Sequence, residues 1–81
     1  MPKTLRTARH RRLIELLVEA RERAGLTQHQ LAERLGRYQS VVAAIEGGGR
    51  RIDLVEFLEI ADALELDPVQ VVVAVRAMPP R

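Results

Sequence analysis

Eighty-one residues, 47% hydrophobic and 30% charged, with a formal net charge of +2, describe one small folded domain and exclude a second. The apolar content is too high for a disordered chain, and the absence of Cys excludes disulfides and thiolate zinc sites. Two histidines, His10 and His29, are too few for a metal cage, so neither metal nor cofactor is expected, and with Tyr38 and Phe57 as the only aromatics the core must be filled by Leu, Val, Ile and Ala, which suits closely packed helices.

The chain opens on a basic arm, expected over residues 1–9, and up to position 12 Lys3, Arg6, Arg9, Arg11 and Arg12 stand without an acid. Such a run either meets a polyanion or keeps a tail solvated. The following LIELLVEA is no signal-peptide core, because Glu15 and Glu19 interrupt it and no small-residue cleavage site follows. No apolar run reaches the roughly 20 residues of a membrane span. A soluble, cytoplasmic protein is expected.

Leu13, Leu17, Ala20 and Ala24, with Ile14 and Leu16 beside them, recur at helical spacing and predict a first helix over about 8–24, stopped by Gly25. Thr27 followed by Gln30 forms a capping box, and Leu31, Ala32 and Leu35 continue a second, short helix over about 28–35, ended by Gly36. After Arg37 and Tyr38, the segment QSVVAAIE sets Val42 and Ile45 on one inner face and predicts a third helix over about 39–46, closed by Gly47, Gly48 and Gly49. Asp53 with Glu56 reads as another capping box ahead of Leu54, Phe57, Leu58, Ala61 and Leu64, an amphipathic fourth helix with its acids facing water. Six acids and no base lie between 53 and 67, opposite in sign to the arm.

The last segment has two readings. Asp67 as N-cap, Pro68 as first helical residue and Gln70 at the box position open a fifth helix. Val69, Val71, Val73 and Val75 alternate as a half-buried strand would. A helix is preferred, because no other strand candidate exists to pair with it. The domain is then expected over 10–77, with 78–81 a tail.

Two short helices joined through a glycine, with small Ala32 where their axes approach, describe a helix-turn-helix. Gln28, Ala32, Gly36, Val42 and Ile45 at these offsets, in the runs ARERAGLTQHQLAERLG, QSVVAAIE and RRIDLVEFLEIADALELDP, closely resemble the Cro and lambda-repressor-like, or xenobiotic-response-element, family over about 10–75. The resemblance implies an all-α, five-helix DNA-binding domain that binds duplex DNA as a dimer, with helix three in the major groove and helix two across the backbone.

Carried onto this chain, the resemblance makes Gln28 a phosphate contact that also steadies Gln39, and makes Gln39 a base reader whose amide suits adenine N6 and N7. Ser40 would reach a base or phosphate beside it. Arg37, Arg50 and Arg51 would meet the backbone, and the charge polarity of the chain, rather than the resemblance, adds Arg12 to them. Tyr38 would bond a phosphate or stack on a sugar, or else pack beside the turn. Arg21 and Glu46 occupy the family's ion pair between helices one and three, a structural role shared with Ala32, Gly36, Val42 and Ile45. Val69, Val72, Val73 and Val75 are more than so small a domain can bury, and are expected to form a homodimer face.

The chain departs from the family where Ala43, Ala44 and Gly47 replace polar or basic residues and Tyr38 replaces Ser, Thr or Pro. The expected function is a sequence-specific repressor of bacterial or phage origin, associated with the nucleoid. Its two recognition helices would lie about 34 Å apart on a pseudo-palindromic operator. The competing reading is an antitoxin-like protein-interaction module with weak DNA binding, which Ala43, Ala44 and Gly47 favour. An enzyme is not expected, since no nucleophile stands with a base and no phosphate-loop pattern exists.

Overall fold

The structure is a computed structural model that describes residues 7–80. Among those residues it contains five α-helices and no strand: α1 Ala8–Arg23, α2 Gln28–Leu35, α3 Gln39–Glu46, α4 Leu54–Ala63 and α5 Pro68–Arg76.

The starts of α1, α2, α4 and α5 follow from a side chain that satisfies an otherwise orphaned backbone donor, whereas α3 starts at Tyr38 without one. Thr7 accepts from the His10 amide to open α1, so Ala8 and Arg9 belong to a helix and not to the expected arm, whose residues 1–6 lie outside those described. At α2 the reciprocal box forms in full, with Gln30 N donating to Thr27 Oγ1 at 3.1 Å and Thr27 N donating to Gln30 Oε1 at 2.9 Å. The other two expected boxes do not close. Asp53 Oδ1 accepts from Glu56 N at 2.7 Å, but the Glu56 side chain goes elsewhere, and Asp67 Oδ1 accepts from Val69 N with no Gln70 partner among the bonds formed.

Gly25 and Gly36 end α1 and α2 with positive φ (75° and 66°), which lets Leu26 N and Arg37 N reach back to the carbonyls of Arg21 and Ala32. The resulting turn sets α3 across α2. Ala32, 1% exposed, permits that approach, and Leu31, Val42 and Ile45 close over it against Ile14, Leu17 and Ala20 of α1. From the other side Phe57, Ile60 and Ala61 of α4, with Leu64 at its C-cap, complete one core.

The valine-rich segment is helical, and its geometry settles how the valines divide. A strand would place 69, 71, 73 and 75 alternately on one face; the helix turns Val71 and Val75 inward, toward α1, and leaves Val69, Val72 and Val73 exposed. Arg9 fastens this packing by donating from Nε to Met78 O (3.1 Å) and from Nη2 to Arg76 O (3.2 Å), a cation on the negative end of α5.

Candidate nucleic-acid interface

At the junction of α1, α2 and α3 the side chains form one continuous chain of hydrogen bonds. Arg21 grips Glu46 with two nitrogens, Nε to Oε2 at 2.7 Å and Nη2 to Oε1 at 3.0 Å, and gives its third, Nη1, to the Leu26 carbonyl at 2.7 Å. Both charged side chains are largely buried, and the hydrogen bond to Glu46 raises the Arg21 pKa further above its ordinary range. Gln28 Nε2 donates to Glu46 Oε1 at 3.0 Å, and Gln39 Nε2 donates to Gln28 Oε1 at 2.8 Å.

The polarity of this relay follows from the charge at its root. An ionised carboxylate only accepts, so Gln28 turns its NH2 toward Glu46 and is left with an oxygen for Gln39. Gln39 must therefore donate with Nε2. That leaves it one N–H and the Oε1 acceptor free on the exposed first turn of α3. A free donor beside a free acceptor is what the adenine N7 and N6 edge requires.

The remaining expected site residues fall in three groups. Ser40 is exposed beside Gln39, and Tyr38, the N-cap of α3, is 83% exposed with no capping bond from its side chain. Of the two readings for Tyr38, packing beside the turn is therefore excluded. Arg12 lies on α1 with a loose 3.7 Å pair to Glu15, and Arg51 is exposed in the loop after α3, close enough for its charge to help burial lower the His10 pKa. Burial is the larger cause, and His10 Nε2 is enclosed without a hydrogen-bond partner.

Arg37 and Arg50 are engaged within the protein. Arg50 meets Glu56 with two bonds, Nη1 to Oε1 at 2.6 Å and Nη2 to Oε2 at 3.0 Å, which raises the Arg50 pKa. Arg37 Nη1 approaches the same carboxylate at 3.0 Å and its Nη2 approaches Glu59 at 3.7 Å. Glu56 is 6% exposed, so the expectation that the acids of α4 all face water fails at this position. The reason lies in helix spacing. Residue 56 stands one turn before Ile60 and two before Leu64, on the stripe that enters the core. A charge on an apolar stripe was the legible signal, and the capping-box reading masked it.

The four valines expected at an interface also divide. Val69, Val72 and Val73 are more than half exposed, while Val75 packs against the protein's own core. Beside them Leu54 and Leu58 of α4 are exposed. An open apolar groove of about 440 Å³ runs among Leu13, Ile52, Leu54, Phe57, Val72 and Val75, and a shallower one of about 230 Å³ continues it past Leu58, Pro68 and Val69. No helix among the described residues is long and apolar enough to cross a membrane.

This arrangement of α2 and α3 is shared with known proteins. The chain matches the model of the helix-turn-helix domain over residues 3–73. It is also similar to the solved structure of an XRE-family like protein from Pseudomonas syringae pv. tomato str. DC3000, at 43% identity and a TM-score of 0.83 over 93% of this chain and 92% of that one. No curated protein is a significant match. With the two-helix turn, the five-helix order and the buried α1–α3 ion pair in place, the chain belongs to the helix-turn-helix DNA-binding family, in its Cro and lambda-repressor-like, XRE branch.

Proposed function

We propose that the protein is a sequence-specific DNA-binding regulator, a cytoplasmic, nucleoid-associated repressor that acts as a homodimer by laying α3 in the major groove and occluding its operator. The observation that carries this reading is the relay from Glu46 through Gln28 to Gln39, which presents one donor and one acceptor at the exposed start of α3. Gln39 reads an adenine and Ser40 a neighbouring base. Gln28, Tyr38, Arg12 and Arg51 are its backbone contacts, fixing register without reading sequence. Arg37 and Arg50 reach phosphate only by giving up Glu56.

Titration against fragmented genomic DNA at two salt concentrations tests the reading, and absence of retention at low salt would favour the antitoxin-like interaction module. On a selected fragment, Gln39→Ala should lose about 1–3 kcal/mol of affinity while random duplex binding barely changes. Arg51→Ala should weaken both by a similar factor. Equal losses for Gln39→Ala on both DNAs would remove it as a reader.

The dimer face in this reading joins Val69, Val72 and Val73 to Leu54 and Leu58. A contiguous exposed apolar patch of this kind marks an interaction surface, and two-fold pairing is the commonest way to cover it. Sedimentation should show twice the 9.1 kDa chain mass. Val72→Glu should sediment as a folded monomer with weaker operator binding, and an unchanged mass for this variant would place the interface elsewhere.

A further inference from the structure

Glu56 joins the two ends of α3. Arg37 precedes the N-cap Tyr38, Arg50 follows the Gly47–Gly49 turn, and both guanidinium groups close on this one carboxylate, at 3.0 Å from Arg37 and 2.6 and 3.0 Å from Arg50. Among the described residues Glu56 is the one charged residue that is buried as a whole. With Glu59 at 3.7 Å from Arg37, two acids match two bases, and the group has no net charge.

We propose that Glu56 is a specificity-determining residue: by holding Arg37 and Arg50 in ion pairs at either end of the recognition helix, it withholds both cations from sequence-independent attraction to phosphate. The inference rests on the DNA-binding reading above. Sequence-independent affinity comes from cations that neutralise phosphates and release counterions, and each such contact adds about 0.9 to the slope of log K against log salt. A phosphate that took either guanidinium would leave a buried carboxylate short of its partner, an arrangement far costlier than an unpaired charge at the surface. The exchange is therefore disfavoured, and discrimination falls to Gln39 and its neighbours on α3. The same clasp ties the turn before α3 and the loop after it to α4, so the helix is offered to DNA in one pose.

The test compares wild type with Glu56→Gln on a fragment selected from genomic DNA and on a random duplex, by fluorescence anisotropy over a range of salt. Glu56→Gln should bind random duplex about tenfold more tightly at low salt. Its salt slope should steepen by roughly 1–2, as one or two arginines join the phosphate contacts, and its preference for the selected fragment should fall. An unchanged slope and unchanged random affinity in a variant that folds by circular dichroism would overturn the inference while leaving the DNA reading intact. Failure of wild type to prefer any fragment would overturn both. Should Glu56→Gln not fold, the triple variant R37Q/R50Q/E56Q removes cations and anion together. A random-duplex slope within about half a unit of wild type supports withholding, and a larger fall overturns it, because it would mean that the arginines already touch phosphate.

Discussion

Arg21→Ala is expected to destabilise the protein by about 3–5 kcal/mol, enough to unfold much of a domain this small. The Arg21 and Glu46 side chains are only 13% and 8% exposed, and three guanidinium bonds hold them and the Leu26 carbonyl together. Alanine leaves the Glu46 carboxylate in place with Gln28 Nε2 as its remaining partner. A buried carboxylate deprived of its cation loses the attraction that offset its dehydration, whereas losing both charges at once does not leave one stranded. The double variant R21M/E46L should therefore be more stable than Arg21→Ala. Urea unfolding of the three proteins checks both statements, and a loss under about 1 kcal/mol for Arg21→Ala would show that the pair is solvated in solution. Any R21M/E46L protein that folds should also read its operator poorly, because the anion that orients Gln28 and Gln39 is gone.

Phe57→Ala should cost about 3–5 kcal/mol, which is roughly 4–8 °C of Tm per kcal/mol at this size. Phe57 is the single phenylalanine and is 7% exposed, in a core otherwise built from aliphatic side chains. Its ring also lines both grooves between α4 and α5. Truncation removes the ring from the shared core and deepens the groove at the same time. Because that groove is open, water fills part of the space, which moves the expected loss toward the lower end of the range. Phe57→Leu keeps most of the volume and should cost much less. Thermal melts at several protein concentrations separate the effects, since a loss in the core lowers Tm at every dilution, whereas weaker self-association makes Tm less dependent on concentration. A melt within a few degrees of wild type would mean that the ring contributes little to the core.

The helices were readable because their ends are local. Thr7, Thr27, Asp53 and Asp67 each accept a backbone donor two or three residues on, and Gly25 and Gly36 stop helices in a backbone conformation that Gly adopts without strain. The end of α4 gave no such mark. Glu65 takes the left-handed conformation there with φ 54°, and Leu66 N reaches back to the Ala61 carbonyl. No residue type announces that turn. It is held by packing of Leu64 and Leu66 on the core and by Asp67 and Pro68 restarting the chain as α5.

The run of acids over 53–67 was visible along the sequence, but the partners of Glu56 were not, because Arg37, Arg50 and Glu56 meet only when α4 folds beneath the ends of α3. Spacing and cap residues together predicted five helices, the N-caps of α2, α4 and α5 and the turn between α2 and α3, since each depends on neighbours within one or two turns. The partners of Arg9, Arg37 and Arg50, the polarity of the Gln28–Gln39 amides and the division of the valines between core and surface were decided by tertiary structure. Those depend on which charge or side chain lies across a helix interface, at separations in sequence from 6 residues for Arg50 and Glu56 to 69 for Arg9 and Met78, and no periodicity within one helix encodes that.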